Sequence, residues 1–127
     1  MGARSNVCVR SKDDNHEIYL YSHWDGPDLA LIFREALARG KDYWADPPYL
    51  TRIIFSEMIR NEVNELTGYG ISNYLTDNEY NIIYVDTDSQ TVSIGDEVFT
   101  FEEFIDLDDN TLIRLMWKVY LSGRCSY

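Results

Sequence analysis

Basic residues are scarce in this chain, and their scarcity excludes several kinds of partner. Eleven Lys and Arg residues stand against twenty-two Asp and Glu residues, which gives a formal net charge of −11 at pH 7. A field of that sign repels the phosphates of nucleic acids and the surfaces of anionic membranes. We therefore expect no direct binding of DNA, RNA or membranes, whereas a protein with a basic surface is a suitable partner. The alternative is that the acidity only keeps the protein soluble.

Cysteine and histidine are also rare, and long apolar runs are lacking. Cys8 and Cys125 are too few for a disulfide scaffold and do not have the spacing of zinc ligands. The first residues, "MGARSN", contain no apolar run of the kind found in signal peptides, and no stretch of the chain approaches a membrane span. We expect reduced thiols, a cytoplasmic location, and neither a metal ion nor a cofactor.

The apolar residues that are present alternate in some segments and recur at helical spacing in others. Strand patterns occur in "SNVCVRS", "EIYLYSHW" and "YNIIYVD", and a hairpin is predicted for "TVSI" and "EVFT" with Gly95 in its turn. A first helix is predicted over residues 29–37, ending before Gly40. Two further helices follow the hairpin, one opened by a capping box of Thr100 and Glu103.

The last helix is predicted to begin at Asp108 or Asp109 and to run to Gly123. The order of elements is thus two strands, two helices, three strands and two helices. This order predicts a single α+β domain over residues 1–127, with an antiparallel or mixed sheet of four to five strands and three to four packed helices.

The second helix is predicted to run from Tyr49 to about Leu66, after Asp46 and two prolines that suit a helix start. Its apolar residues lie on most sides of the helix, so several of its faces need to be covered. We expect it to be either the central helix of the domain or one half of a homodimer interface.

The segment "SHWDG" has two interpretations. His23 and Asp25 are a potential base and orienting carboxylate, but Ser22 would point to the opposite face of a strand and leave His23 without a nucleophile. The other interpretation is a strand-to-helix turn at residues 25–27, with Trp24 anchored against the core. We favour the turn, and we predict no catalytic residue and no enzymatic activity.

A loop rich in Tyr and Asn is predicted where "TGYGISNYLTDNEY" leaves the second helix. Such side chains stack on flat ligands and form hydrogen bonds with them. Together with "SHWDG", this loop predicts a pocket for a small ligand such as a nucleotide. The pocket residues would be His23, Trp24, Tyr69, Asn73 and Tyr74.

Carboxylates are concentrated in the second half of the chain, where residues 77–109 contain eleven Asp and Glu and no Lys or Arg. A calcium loop is disfavoured within "DTDSQTVSIGDE", because Thr91 stands where the sharp turn needs glycine. Charge runs usually mark solvated faces, but this one could also mimic phosphates or dock on a groove of Arg and Lys. The predicted partner-binding residues are Asp86, Asp88, Asp96, Glu97, Glu102, Glu103, Asp106, Asp108 and Asp109.

Four segments resemble a family of small proteins encoded by bacteriophages and prophages. They are "YLYSHWDG", "PPYLTRIIFSEMI", "TGYGI" and "DNEYNIIYVD", which occur in the same order and lie within residues 1–105. The resemblance implies a phage-like protein that acts in a bacterial cytoplasm, and it transfers no enzymatic activity and no functional residue. Small acidic phage proteins without an active site are often inhibitors of host machinery, including restriction and CRISPR defence.

Charge, resemblance and the lack of a catalytic constellation together favour a non-enzymatic interaction protein. We expect an acidic inhibitor that occupies the basic groove of a host nucleic-acid-processing or defence protein, as a nucleic-acid mimic. The alternative is a small-ligand or nucleotide-binding module that uses the "HWDG" and "TGYGISNY" segments.

Overall fold

The computed structural model of the protein describes residues 2–118, which form one six-stranded sheet and four α-helices. The strands are β1 Ser5–Ser11, β2 His16–Ser22, β3 Tyr69–Ser72, β4 Ile83–Asp86, β5 Thr91–Ile94 and β6 Glu97–Thr100. The helices are α1 Leu29–Arg39, α2 Pro47–Met58, α3 Phe101–Ile105 and α4 Asp109–Met116. The predicted α+β class and the number of helices are confirmed.

The strands lie in the order β3-β2-β1-β4-β5-β6. β1 and β4 pair in parallel and every other neighbouring pair is antiparallel, so the sheet is mixed. The sheet has six strands where four to five are predicted, because β3 lies in a segment that is predicted to be a loop. Its register with β2, Ser22 opposite Tyr69 and Tyr19 opposite Ser72, depends on a distant partner that a local pattern does not reveal.

Alternate strand residues and the helices enclose one core. Val7, Leu20, Ile83 and Val92 point from four neighbouring strands into the same buried cluster as Phe33 of α1. The period of two along each strand explains why these residues share one face of the sheet. The helices therefore cover this face.

The opposite face of the sheet is partly covered by the connection from β3 to β4. This connection, residues 73–82, leads from one edge of the sheet to its middle and contacts the start of β1. The side-chain amide of Asn6 donates to the carbonyl of Asp77 at 2.7 Å, and Arg4 forms ion pairs with Asp77 and Glu79. Cys8, on the same face, is fully buried.

Helix α1 has the predicted extent, with Asp28 before it and Gly40 after it. Its buried side chains pack against α3, where the rings of Phe33 and Phe104 lie 5.3 Å apart in an edge-to-face arrangement. Edge-to-face packing of this kind adds to the hydrophobic gain of burying the rings. The helix layer is therefore centred on aromatic contacts between α1 and α3.

Helix α2 begins as predicted but ends at Met58, about two turns before the predicted end at Leu66. Beyond Met58 the amides of Arg60 and Glu62 bond the carbonyls three residues earlier, which are the bonds of successive turns. The following Asn61 and Asn64 favour turns over helix. As a result, Val63 and Leu66 are 68% and 97% exposed rather than packed on a helix face.

The second half of the chain confirms three local predictions and corrects one. Gly95 has a φ of +61° at the first position of the β5–β6 turn, where two-residue hairpins favour glycine. Thr100 and Glu103 form the capping box of α3, and Asp108 accepts from the amide of Thr111 at the start of α4. α4 ends at Met116 and not at Gly123, which lies outside the described residues, as do Val119 and Cys125.

Candidate functional site

The "SHWDG" segment is a turn whose polar side chains bind one another. The hydroxyl of Ser22 donates to the Asp25 carboxylate at 2.8 Å, and the Tyr69 hydroxyl donates to the same oxygen at 3.2 Å. Burial, reinforced by the neighbouring carboxylate, raises the pKa of Tyr69 to about 12. Asp25 therefore joins the end of β2 to the start of β3, and its charge is used within the fold.

His23 contacts aromatic residues and not Ser22. Its Nδ1 lies 2.7 Å from the hydroxyl of Tyr21, and its ring meets that of Trp24 edge to face at 4.5 Å. The predicted anchoring of Trp24 in the core is wrong, since this side chain is 56% exposed. It lies on Gly68, where an added Cβ would approach its Nε1 to 2.6 Å.

The predicted ligand pocket is divided between two ends of β3. His23, Trp24 and Tyr69 gather at its first residue, whereas Asn73 and Tyr74 follow its last residue. Because β3 runs antiparallel to β2, these two groups lie at opposite ends of β2. The five residues do not form one pocket. Asn73 instead borders a polar cleft of about 480 Å³ at the other end of β2. The cleft is lined by Arg10, Ser11, Lys12, Asn15, His16, Glu17 and Asn73.

Arg10 is the most distinctive side chain of this polar cleft. Its guanidinium carbon lies 4.4 Å from the centre of the Tyr84 ring, and within residues 2–118 it forms no ion pair. On the same face of β1, burial raises the pKa of the Cys8 thiol to about 11, so this thiol stays protonated and unreactive at neutral pH. The cleft thus presents a stacked cation, and the buried Cys8 does not line it.

Several of the predicted partner-binding carboxylates stabilise the fold. Asp88 accepts from the hydroxyl of Ser11 at 2.9 Å and from the amides of Lys12 and Asp13 at 2.8 and 3.0 Å. The bonds from the Asp13 amide and Ser11 hydroxyl, with that from Lys12, lower the pKa of Asp88. Asp86 is buried and accepts from two amides of its own turn. Both residues therefore hold this end of the sheet in shape, and Asp88 is exposed there.

The remaining carboxylates are divided between two places. Asp96 and Glu97 lie at the β5–β6 turn, where Glu97 is 3.6 Å from Arg114. The other end of the hairpin leads into α3 and α4, which carry the rest. We call this second group the acidic corner; its members are Glu102, Glu103, Asp106, Asp108 and Asp109. The nine predicted residues therefore do not form one continuous face.

The acidic corner is exposed and has two cationic neighbours among its ion pairs. Arg34 binds Asp109 at 2.6 Å, and Lys41 lies 3.7 Å from Glu102. Arg34 also donates to the carbonyl of Leu107 at 2.7 Å, so it joins the link between α3 and α4 to α1. An excess of carboxylate charge remains at this corner.

A third surface was missed by the sequence reasoning. The uncharged strand β3 forms one edge of the sheet, and an apolar groove of about 510 Å³ lies between it and α2. Ile71, which points into this region, is 62% exposed. The groove is lined by Leu20, Pro48, Thr51, Arg52, Phe55, Ser56, Ile59, Val63 and Ile71. The available signal was the charge-free run "YGIS" after an apolar helix.

Within residues 2–118, no three His, Cys, Asp or Glu side chains gather closely enough to hold a metal ion. In the same range, no helix combines the length and apolar character that a membrane crossing requires.

Comparison of the chain with models of protein families, with curated proteins and with solved structures gives no match. The resemblance to phage proteins therefore stays an expectation that its four motifs carry.

Proposed function

We propose that this chain is a non-catalytic, phage-type protein that binds a basic surface of another protein through the acidic corner. The observation that carries the proposal is the concentration of five exposed carboxylates within residues 102–109, at the junction of two helices. Carboxylates spaced along a rigid surface are complementary to a groove that otherwise holds phosphates.

The corner is held in shape by its own hydrogen bonds. The Thr100 hydroxyl accepts from the amide of Glu103 at 3.1 Å, and the Glu103 carboxylate accepts from the amide of Thr100 at 2.8 Å. The Asp108 carboxylate accepts from the Thr111 amide at 2.8 Å. A surface fixed in this way loses little conformational entropy on binding, which favours affinity.

The charge of the whole chain supports the same partner. A formal charge of −11 steers a basic protein toward this molecule from a distance, and salt weakens that attraction. The phage-like motifs favour a host protein as the partner, most concretely a CRISPR, restriction or other nucleic-acid-processing protein. Occupation of its basic groove would exclude the nucleic acid and inhibit it.

Affinity capture from a bacterial lysate with two matched variants tests this function. Glu102→Lys with Asp106→Lys reverses two charges of the corner and spares the capping residues Glu103 and Asp108. Asp13→Lys with Asp14→Lys makes the same change of net charge in the exposed β1–β2 loop. A partner that the wild type and the loop variant retain, and that the corner variant loses, is the expected result. Equal retention by both variants would contradict the proposal.

A second candidate function is favoured by the polar cleft at Arg10. The cleft has the size of a small-molecule site, and its stacked guanidinium is available for an anionic group such as a nucleotide phosphate. In a thermal-shift screen, a nucleotide that binds the cleft should raise the unfolding temperature of the wild type and not that of Arg10→Gln. Arg52→Gln is the matched control and should keep the response. No shift with a folded wild type would remove this candidate.

A further inference from the structure

Within residues 2–118, the β3 edge of the sheet is open and carries no charge. Within the described chain, β3 has a neighbour on one side only, and its sequence contains no charged residue and no proline. Soluble proteins protect such edges with very short strands, charges, prolines, bulges or covering segments, because an open edge pairs with other strands. Of these protections β3 has only its length of four residues in the part of the chain that the structure describes. The opposite edge, β6, contains Glu97, which forms an ion pair with Arg114.

The hydrogen bonds of β3 with β2 determine which of its backbone groups face the open edge. The amide of His23 donates to the carbonyl of Gly68 at 2.8 Å, so this opposed pair is a hydrogen-bonded one. Hydrogen-bonded and non-hydrogen-bonded pairs alternate along an antiparallel ladder. Tyr69 and Ile71 are therefore in non-hydrogen-bonded pairs with β2, and their amides and carbonyls face outward.

Exposed apolar side chains lie around the β3 edge, and charged residues of both signs lie near them. Ile71, Val63 and Leu66 are among the exposed hydrophobic side chains of the molecule. Arg52 lines the adjacent groove and forms no ion pair within residues 2–118. The segment 59–68, which borders the groove through Val63, carries the exposed Glu62 and Glu65.

An apolar centre with charges of both signs is compatible with pairing to its own copy, because Arg52 of one copy and the carboxylates of segment 59–68 of the other attract each other. An isologous dimer requires this property, since the same patch must face its own copy. A basic partner would favour a surface with only carboxylates in excess, as at the acidic corner. The charges around β3 instead include Arg52 as well as Glu62 and Glu65. A second copy of this chain is therefore the occupant that the surface favours.

We propose that two copies of this chain pair antiparallel along β3, with Gly70 on the two-fold axis. In this register Ile71 lies opposite the partner's Tyr69, so the outward backbone groups of both residues are paired and the side chains of both stay on the helix-covered face. A shift by one residue would place them on opposite faces. The two sheets become one continuous sheet through the dimer. This pairing does not depend on the function proposed for the acidic corner.

Gly70 offers a direct probe of the register. A Cβ added at Gly70 meets nothing within 4 Å, and its φ is not positive, so a side chain is tolerated there. Opposed residues of a non-hydrogen-bonded antiparallel pair have Cα atoms about 4.5 Å apart, which lies within the range for disulfides. Gly70→Cys should therefore form a disulfide across the axis.

Light scattering coupled to gel filtration tests the dimer. The wild type should elute at twice the chain mass of 14.9 kDa, and Ile71→Lys should elute at the mass of one chain with an unchanged far-UV spectrum. The matched control, Val98→Lys on the opposite edge, should remain dimeric. A monomeric wild type would leave the β3 edge to a strand of a different protein and overturn the proposal, as would a dimer that tolerates Ile71→Lys.

Oxidative cross-linking distinguishes this dimer from one formed by another surface. In a Cys125→Ser background, Gly70→Cys should convert to a covalent dimer on mild oxidation, while Val98→Cys should remain monomeric on a denaturing gel. Cross-linking through Val98→Cys, or a dimer whose Gly70→Cys does not cross-link, would show that the copies meet elsewhere and would refute the β3 pairing.

Discussion

The two edges of the sheet differ in the way that they meet solvent. At one end β6 contains a charged residue and leads directly into α3, whose first turn adds Glu102 and Glu103. At the other end β3 has four uncharged residues beside exposed Val63 and Leu66. Both edges are short strands of the same sheet, so the contrast lies in side-chain chemistry and not in backbone geometry.

This difference is the basis of the two interactions that we propose for one small fold. Charge at the β6 side opposes strand pairing and favours a basic partner through long-range attraction. The apolar β3 side favours contact with a surface like itself. An acidic chain that assembles through its least charged edge keeps its carboxylates available for a different protein.

The largest expected difference is in stability, between the buried helix layer next to β6 and the exposed β3 side. Phe104 is fully buried and packs on Phe33 and Phe99, so Phe104→Ala should lower the free energy of unfolding by about 3–5 kcal/mol. Ile71→Ala on the exposed β3 side should change the stability of the separated chain by no more than about 0.5 kcal/mol. Urea unfolding of both variants at low protein concentration measures the two changes. Equal losses would show that the β3 side is packed as tightly as the helix layer.

The second prediction concerns the rigidity of the acidic corner. Thr100→Ala removes the hydroxyl that accepts from the Glu103 amide and should cost about 1 kcal/mol of stability. It should also weaken partner binding, because the corner is no longer fixed. Thr76→Ala, in the exposed connection after β3, is the control and should change neither quantity. Chemical denaturation and the lysate capture provide the two readouts.

The third prediction contrasts Asp88, whose carboxylate stabilises the fold, with Asp106 of the acidic corner. The pKa of Asp88 lies below its ordinary value of 3.8 because its carboxylate accepts hydrogen bonds from the β1–β2 loop. The stability that it contributes is therefore complete above the ordinary value and is lost as the pH falls through the lowered one. Asp88→Asn should lower the urea midpoint at neutral pH and reduce its fall in acid. Asp106→Asn should leave both unchanged.

Local features of the fold could be predicted from the sequence because their causes lie within a few residues. Helix α1, the β5–β6 turn at Gly95 and the capping box of Thr100 with Glu103 all depend on neighbouring residues. The strand β3 could not be predicted in this way, since four residues that include Gly70 and follow Gly68 form a strand only by pairing with β2. The end of α2 was misplaced because apolar residues beyond Met58 continued a helical pattern that the turns interrupt.

The candidate site was predictable only in part, for a related reason. Sequence proximity placed Asn73 beside Tyr69, but the direction of β3 carries Asn73 to the polar cleft at Arg10. Counting carboxylates identified an acidic region but not which members the fold itself uses. Asp88, which is 76 residues from Lys12 in the chain, binds the amide of that residue. Only the tertiary structure reveals such a long-range contact.

The most direct test of two separate edges is the molar mass of the complex with the captured partner, measured for both edge variants. Ile71→Lys should bind the partner as a single chain, and Glu102→Lys with Asp106→Lys should remain a dimer that does not bind it. That double separation is the result that the account predicts. Loss of both dimer and partner in either variant would contradict it, because one surface would then serve both interactions.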